Sequence, residues 1–210
     1  MNNLLFITHQ TEKYNYLDSV EIALKGGCLH IQLRMKGELP DAIERIALCA
    51  KELCNQYKAK LYINDHVEIC KNIKAEGVHL GKSDMSPIDA RKILGDNFII
   101  GATANTFEDI CRFKNEGVDY IGLGPFRFTT TKKNLSPILG LSGYQNIIQQ
   151  CKEAKIQLPL VAIGGITIND IPYIIKMGMH GIALSSSILT SENPIEETKK
   201  IITCINKYKI

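Results

Sequence analysis

A chain of 210 residues with 45% hydrophobic and 22% charged side chains has the size of one large domain or two small ones, and it can bury a sizeable core. Its 16 Gly and 7 Pro are close to ordinary usage, which excludes collagen-like, low-complexity and wholly disordered chains. A formal charge of +3 is too mild to mark a nucleic-acid binder by bulk charge, so any anion site has to be local.

The opening MNNLLFITHQTEKY has neither a basic leader nor a small-residue cleavage site, and no run approaches the roughly 20 apolar residues of a membrane span. A cytoplasmic protein without a membrane partner is expected. The seven cysteines, at 28, 49, 54, 70, 111, 151 and 204, form no CxxC and no Cys/His pattern at zinc-ligand spacing. They read as reduced thiols, mostly buried.

Short β-branched or apolar runs then recur: LLFIT (4–8), CLHIQLR (28–34), KLYIND (60–65), GVHLG (77–81), FIIGAT (98–103), YIGLGP (120–125), PLVAIGG (159–165) and GIALSS (181–186). Helical spacing fills the intervals. From Leu39 to Tyr57, Ile43, Ile46, Ala47, Ala50, Leu53 and Cys54 share one face. Ser86, Thr106 and Thr167 are placed as N-caps of later helices, and Gly95 and Gly178 as stops. Eight alternations point to an α/β fold, a (β/α)8 TIM barrel spanning 1–210 as a single domain, although about 250 residues is the usual size. The alternative is an open doubly wound sheet, which normally carries a glycine-rich phosphate loop after its first strand. LLFITHQTEKY has no glycine.

Catalytic groups of a barrel gather where its strands end. In the second strand Leu29, Ile31 and Leu33 alternate with His30, Gln32 and Arg34, which predicts a polar column facing inward and ending near Arg34 and Lys36. The third strand ends in Asn64-Asp65, and Asp84 follows the fourth after Lys82-Ser83. Two carboxylates on adjacent strand ends can hold Mg²⁺ and leave its other positions to water or phosphate, although an Asp there is also a common N-cap or turn former. Thr103 ends the fifth strand as either a cap or a ligand contact. The long stretch from Phe126 to Gly143 carries Thr129-Thr130-Thr131-Lys132-Lys133, hydroxyls beside cations. Gly164-Gly165 and Ser185-Ser186-Ser187 close the last two strands, where barrels often hold phosphate on backbone N–H groups and helix termini. The five histidines read as structural: His79 lies within the fourth strand, His66 starts a helix, and His9, His30 and His180 have no partner at triad spacing; no GxSxG, HExxH or GxxxxGK[ST] occurs.

Taken in order, Gln32-Leu33-Arg34-Met35-Lys36, Ile63-Asn64-Asp65, Gly77-Val78-His79-Leu80-Gly81 with Asp84, Ile100-Gly101-Ala102-Thr103, Gly124-Pro125 with the TxTK element ending at Lys132, Val161 to Ile166 and Ala183 to Ile188 make a specific set. It resembles the thiamine-phosphate synthase family, barrel enzymes that join the pyrimidine and thiazole halves of thiamine. The resemblance implies that Gln32, Leu33, Arg34, Met35, Lys36, Asn64 and Lys132 hold the pyrimidine diphosphate, with Asp65 and Asp84 on its Mg²⁺ and Thr103 on the pyrimidine. Arg34, Lys36 and Lys132 would be the catalytic cations. Thr129, Thr130, Thr131, Gly165, Ser185 and Ser186 would receive the thiazole phosphate. The chain departs from the family pattern at His9, His66 and Lys82, where an Asp, an Arg and a Gln are usual.

The implied chemistry needs no side-chain nucleophile: diphosphate leaves, a pyrimidine-methyl cation develops, and the thiazole nitrogen attacks with its own lone pair. The implied partners are the two small substrates, with no nucleic acid and no membrane. Self-association into a homo-oligomer is left open. Two other readings fit the same barrel: a thiazole tautomerase, which needs a general base and has no use for TxTK or a metal pair, and a non-catalytic thiamine-precursor binding protein.

Overall fold

The computed structural model describes residues 3–129 and 136–209. Eight parallel strands pair in chain order and close on themselves: β1 (Leu4–Ile7), β2 (His30–Leu33), β3 (Lys60–Asn64), β4 (Gly77–Leu80), β5 (Ile99–Ala104), β6 (Tyr120–Leu123), β7 (Leu160–Ile163) and β8 (Gly181–Leu184). Leu4 lies opposite Ile182, the register that seals the first strand to the last. The helices are α1 (Tyr16–Lys25), α2 (Pro40–Gln56), α3 (Val67–Asn72), α4 (Pro87–Leu94), α5 (Phe107–Asn115), α6 (Gly140–Glu153), α7 (Ile171–Lys176), α8 (Ser186–Leu189) and α9 (Pro194–Tyr208). The expected (β/α)8 barrel is what forms, and the open sheet is excluded by that closure.

Local chemistry explains the element boundaries. Asn15 and Asp18 form a capping box that starts α1, and Thr106 with Asp109 does the same for α5. Ser86 accepts from the Asp89 N–H to open α4, as expected. Thr167 does not cap α7: the helix begins at Ile171 after Asp170, to whose carboxylate Thr167 donates its hydroxyl at 2.8 Å. The loop expected to run to Gly143 gives way to helix at Gly140. Several strands stop one or two residues before their apolar run does, because the backbone leaves the extended region, at Asp65 with φ 67° and at Gly164 with φ 98°.

The barrel has two cores. Outward strand residues such as Phe6, Ile31, Leu33, Ile63, Leu80, Ile100 and Leu123 pack under the helices, where α2 presents Ile43, Ala47, Ala50 and Cys54. Tyr144 of α6 is fully buried there and donates its hydroxyl to the Leu123 carbonyl at 2.8 Å, fixing the helix against the end of β6. Inside the barrel, Leu5, Ile7, Tyr62 and Ala183 form a smaller cluster with Ile99, Tyr120, Val161 and Ile163. This second cluster is a floor, and the polar side chains stand above it. Four of the seven cysteines, Cys28, Cys54, Cys70 and Cys151, are buried, and all seven are free thiols.

Candidate active site

Gln32 and Asn64 bring β2 and β3 together at the mouth: both are buried, and Gln32 Nε2 donates to Asn64 Oδ1 at 2.7 Å. Gln32 Oε1 is left buried without a partner. A buried acceptor in that state costs about 1–3 kcal/mol unless something donates to it, which makes this atom a candidate to accept from a ligand. The only other such side-chain atom among the described residues is Ser185 Oγ, at the end of β8.

Arg34 and Lys36 follow β2. The Arg34 backbone is pinned by Thr8, whose hydroxyl accepts from the Arg34 N–H at 2.8 Å and lies 3.3 Å from its carbonyl. Thr8, His9, Gln10, Tyr16, Arg34 and Lys36 line a cleft of about 190 Å³ at this point. Burial lowers the Arg34 pKa from its ordinary range, against the opposing fields of Asp65 and Tyr16. A guanidinium still carries its charge under such a shift. The Leu33 and Met35 side chains turn away into the core beneath the helices, which leaves their backbone as the part able to meet a ligand.

Asp65 lies in the left-handed region, forms an ion pair with Lys36, and shares a hydrogen bond with Asp84. Burial raises the Asp65 pKa and the neighbouring Asp84 adds to the rise, with Lys36 opposing both. Burial would raise Asp84 too, but the hydrogen bond from Asp65, the Gly81 N–H at 2.6 Å and the Lys36 charge hold it below the ordinary carboxylate range. Two carboxyl groups this close are a pair built to share a cation or a proton. Lys82, one of the departures from the family pattern, pairs at 2.6 Å with Asp109 of the α5 capping box.

Thr103 of β5 is buried and lies 2.9 Å from His79 Nε2. Across the mouth, Phe126 N–H donates to the Ile163 carbonyl and Arg127 N–H to the Gly164 carbonyl, stitching the loop after β6 to the end of β7. Arg127 then clamps Asp170 through two 2.9 Å bonds and donates to the Gly165 carbonyl at 2.6 Å. That stitch leads to Thr129; Thr130, Thr131 and Lys132 lie outside the described residues. Gly165 has φ 64°, and a side chain there would press on the Phe128 carbonyl oxygen at 2.8 Å. Ser185 and Ser186 sit where β8 meets the single turn of α8. So short a helix has little macrodipole, and α7 starts six positions after Gly165. A larger surface groove of about 920 Å³ runs between α7 and α9, on the outer layer and away from these residues.

A family model described as thiamine monophosphate synthase matches residues 4–188, the whole succession of strands just described. The chain belongs to that family. It is 58% identical to the thiamine-phosphate synthase of Bacteroides thetaiotaomicron, over 96% of this chain and 97% of that protein. With the thiamine-phosphate synthase of Bacteroides fragilis it shares 56% identity over 96% of this chain and 99% of the other. Among solved structures, thiamine phosphate pyrophosphorylase from Pyrococcus furiosus superposes with a TM-score of 0.87 at 29% identity, covering 99% of this chain and 96% of that one.

Within this thiamine-phosphate synthase framework, the residues that sequence reasoning missed are those acting at long range. Thr8, Tyr120 and the Arg127–Asp170 clamp each reach a partner 26 to 43 positions away. A small polar residue ending an apolar run was the one available signal, and Thr8 carries it.

Proposed function

We propose that the mouth of this barrel joins 4-amino-2-methyl-5-(diphosphooxymethyl)pyrimidine to a thiazole phosphate, giving thiamine phosphate and diphosphate. The observation that carries this reading is the placement of the two unpartnered buried atoms, Gln32 Oε1 on β2, the strand that leads to Arg34 and Lys36, and Ser185 Oγ at the end of β8, with β1 between them. One unsatisfied acceptor belongs to the half with cations and carboxylates, and one unsatisfied hydroxyl to the half that has Gly165, Ser185 and Ser186. That division matches a substrate pair in which one member carries a diphosphate and the other a monophosphate.

The residues fit a magnesium ion. Asp65 and Asp84 supply oxygen donors side by side, and no group of three or more His, Cys, Asp or Glu suited to a metal occurs among the described residues. Mg²⁺ is commonly held by one or two carboxylates, with substrate phosphate and water completing its shell. When bound there, it would offset charge on the departing diphosphate.

Arg34 and Lys36, with Lys132 from the loop after β6, would hold the diphosphate. As its C–O bond breaks, the electron pair goes to the leaving oxygen, and the pyrimidine methylene carbon becomes cationic. The thiazole nitrogen forms the new C–N bond with its own lone pair. Fixed cations aimed at the leaving group stabilise that charge separation, and the rigid mouth aligns the two substrates. Lys36 rests on Asp65 in this structure, so it offsets the carboxylate charge until the diphosphate takes its place. Gln32 Oε1 would accept from the pyrimidine amino group, with Asn64 holding the Gln32 amide in orientation. Leu33 and Met35 would contribute backbone alone. Thr129 to Thr131, Gly165, Ser185 and Ser186 would receive the monophosphate on N–H and hydroxyl donors.

Incubation of the purified protein with both substrates and Mg²⁺ tests the proposal, with thiamine phosphate and diphosphate appearing in equal amounts. Proton exchange on the thiazole without diphosphate release would assign a tautomerase instead. Binding of both compounds without turnover would assign a binding protein.

A further inference from the structure

We infer that Tyr120, which lies in the floor of the barrel, is a positioning residue that fixes the proton on His79 and thereby commits the Thr103 hydroxyl to act as a hydrogen-bond donor toward the pyrimidine. The inference rests on the function proposed above and adds a specificity rule to it.

The three side chains form one line through the interior. Tyr120 OH lies 3.0 Å from His79 Nδ1, and His79 Nε2 lies 2.9 Å from Thr103 Oγ1. The imidazole and phenol rings stand 5.5 Å apart, and Tyr62 meets the Tyr120 ring edge-on at 6.1 Å. Gly101 makes this arrangement possible, since a Cβ at that position would overlap the Tyr120 ring. The interior is therefore shaped to bring a phenol to the far nitrogen of an imidazole whose near nitrogen reaches the mouth.

Proton accounting along the line gives one sense. Burial pushes the Tyr120 phenol well above its usual range, so it keeps its hydroxyl hydrogen. His79 Nδ1 is the acceptor within reach of that hydrogen. If Tyr120 donates to Nδ1, the neutral imidazole carries its proton on Nε2. If the imidazole is protonated on both nitrogens, Nε2 again carries one. In both forms Nε2–H donates to Thr103 Oγ1. The remaining arrangement, a neutral ring protonated at Nδ1, turns the phenol into an acceptor and strands its hydrogen in the barrel floor, which is costly.

With Nε2–H occupying a lone pair of Thr103 Oγ1, the Thr103 hydrogen is free to point to the mouth. Thr103 then recognises a hydrogen-bond acceptor, an unprotonated ring nitrogen, and is mismatched to the exocyclic amino group. Gln32 Oε1 supplies the opposite polarity, an acceptor for that amino group. A donor and an acceptor of fixed sense tell an aminopyrimidine from an isosteric ring in which the nitrogen is replaced by CH.

The experiment has two arms. The first is ¹⁵N NMR of the His79 imidazole in the unliganded wild-type protein. Protonation at Nε2 is expected; a neutral ring protonated at Nδ1 overturns the inference. This arm needs no turnover, so it stands whether or not the synthase reading survives. The second arm measures KM for the pyrimidine diphosphate and for its analogue with CH in place of the ring nitrogen. Wild type should favour the true ring by about tenfold, the worth of one hydrogen bond to a buried donor. Tyr120→Phe, which keeps the ring and removes the hydroxyl, should reduce that preference toward parity while kcat changes less. Thr103→Ser should retain it. Equal preference in wild type and Tyr120→Phe refutes the inference even where synthase activity is present, and a Tyr120→Phe protein that fails to fold leaves the first arm to decide.

Discussion

Under the function proposed above, the two halves of the barrel mouth hold a phosphate ester by different means. The half built on β2, β3 and β4 uses full charges: Arg34, Lys36, Asp65 and Asp84, with Asp65 hydrogen-bonded to Asp84 and ion-paired with Lys36. The half built on β7 and β8 has Gly165, Ser185 and Ser186, without a charged side chain among those three positions. In that proposal charge stands where charge must develop, at a leaving diphosphate, and neutral donors stand where a phosphate only has to be held. Arg127, the cation that donates to the Gly165 carbonyl, is paired with Asp170, so its charge is already engaged.

The sharpest way to break this comparison is to remove the carboxylates. Asp65→Asn is the suitable change at that position, because Asn tolerates the left-handed backbone at φ 67° that would strain Ala. Asp65→Asn and Asp84→Ala should each lower kcat by about 10²–10³-fold, the scale seen when a charge-stabilising group is lost. Thermal melting should barely move. EDTA should abolish turnover and Mg²⁺ restore it. Full activity in chelator, or in the double variant, would mean that the charged half does not hold a metal.

Lys132 should come next in size. Placed by its TxTK setting beside the departing diphosphate, Lys132→Ala should lower kcat by about 10²-fold, more than it raises KM, whereas Lys133→Ala should be milder. Similar losses in the two variants would shift the register of the threonine run by one.

How much of this was legible in the sequence depends on the range of the interaction. Each strand was readable because its own residues alternate: Leu29, Ile31 and Leu33 against His30, Gln32 and Arg34 gave the inward column that Gln32 and His30 occupy. The Asn64-Asp65 end was readable for the same reason. His79 showed no local partner, because Tyr120 and Thr103 reach it only through the register that pairs β4 with β5 and β5 with β6. Thr167 looked like an N-cap since hydroxyls before apolar runs usually are. What displaced the helix start is Asp170, held by Arg127 from 43 positions away. Local pattern determines the strands and the caps that stand free of long-range contacts, and barrel closure determines which side chains meet.

The neutral half is best tested at Ser185. Substitution at Gly165 would strain the backbone at φ 64° and push on the Phe128 carbonyl, so loss of binding there would be mixed with loss of fold. Ser185→Ala removes one hydroxyl that has no partner, so stability should hold or rise slightly. KM for the thiazole phosphate should rise about five- to tenfold, with affinity for the pyrimidine diphosphate unchanged in calorimetric titration. Equal weakening of both ligands would erase the distinction between the halves.

The smallest effect concerns the clamp that ties the loop after β6 to the neutral half. The hydrogen bonds from Arg127 hold the Asp170 pKa down to about 2, with those from the Thr167 N–H and hydroxyl assisting and burial opposing. A carboxyl lowered in the folded state stabilises the protein above its unfolded pKa, near 3.8, and that contribution is lost as pH falls through the folded value. The window is therefore between about pH 4 and pH 2. Because the Arg127 side chain is 49% exposed, solvent screening reduces the worth of the pair to about 1 kcal/mol. Asp170→Asn should flatten the acid limb of the stability curve within this window and leave it unchanged at higher pH apart from a constant offset. The same variant loosens the stitch carrying the loop toward Thr129, so KM for the thiazole phosphate should rise about two- to threefold, a modest loss from one screened contact. Chemical denaturation across that pH range, set beside KM for each substrate, checks both. A flattened acid limb with KM unchanged would show that the clamp serves the fold alone, and the neutral half would then owe its shape to backbone hydrogen bonds such as Arg127 N–H to the Gly164 carbonyl.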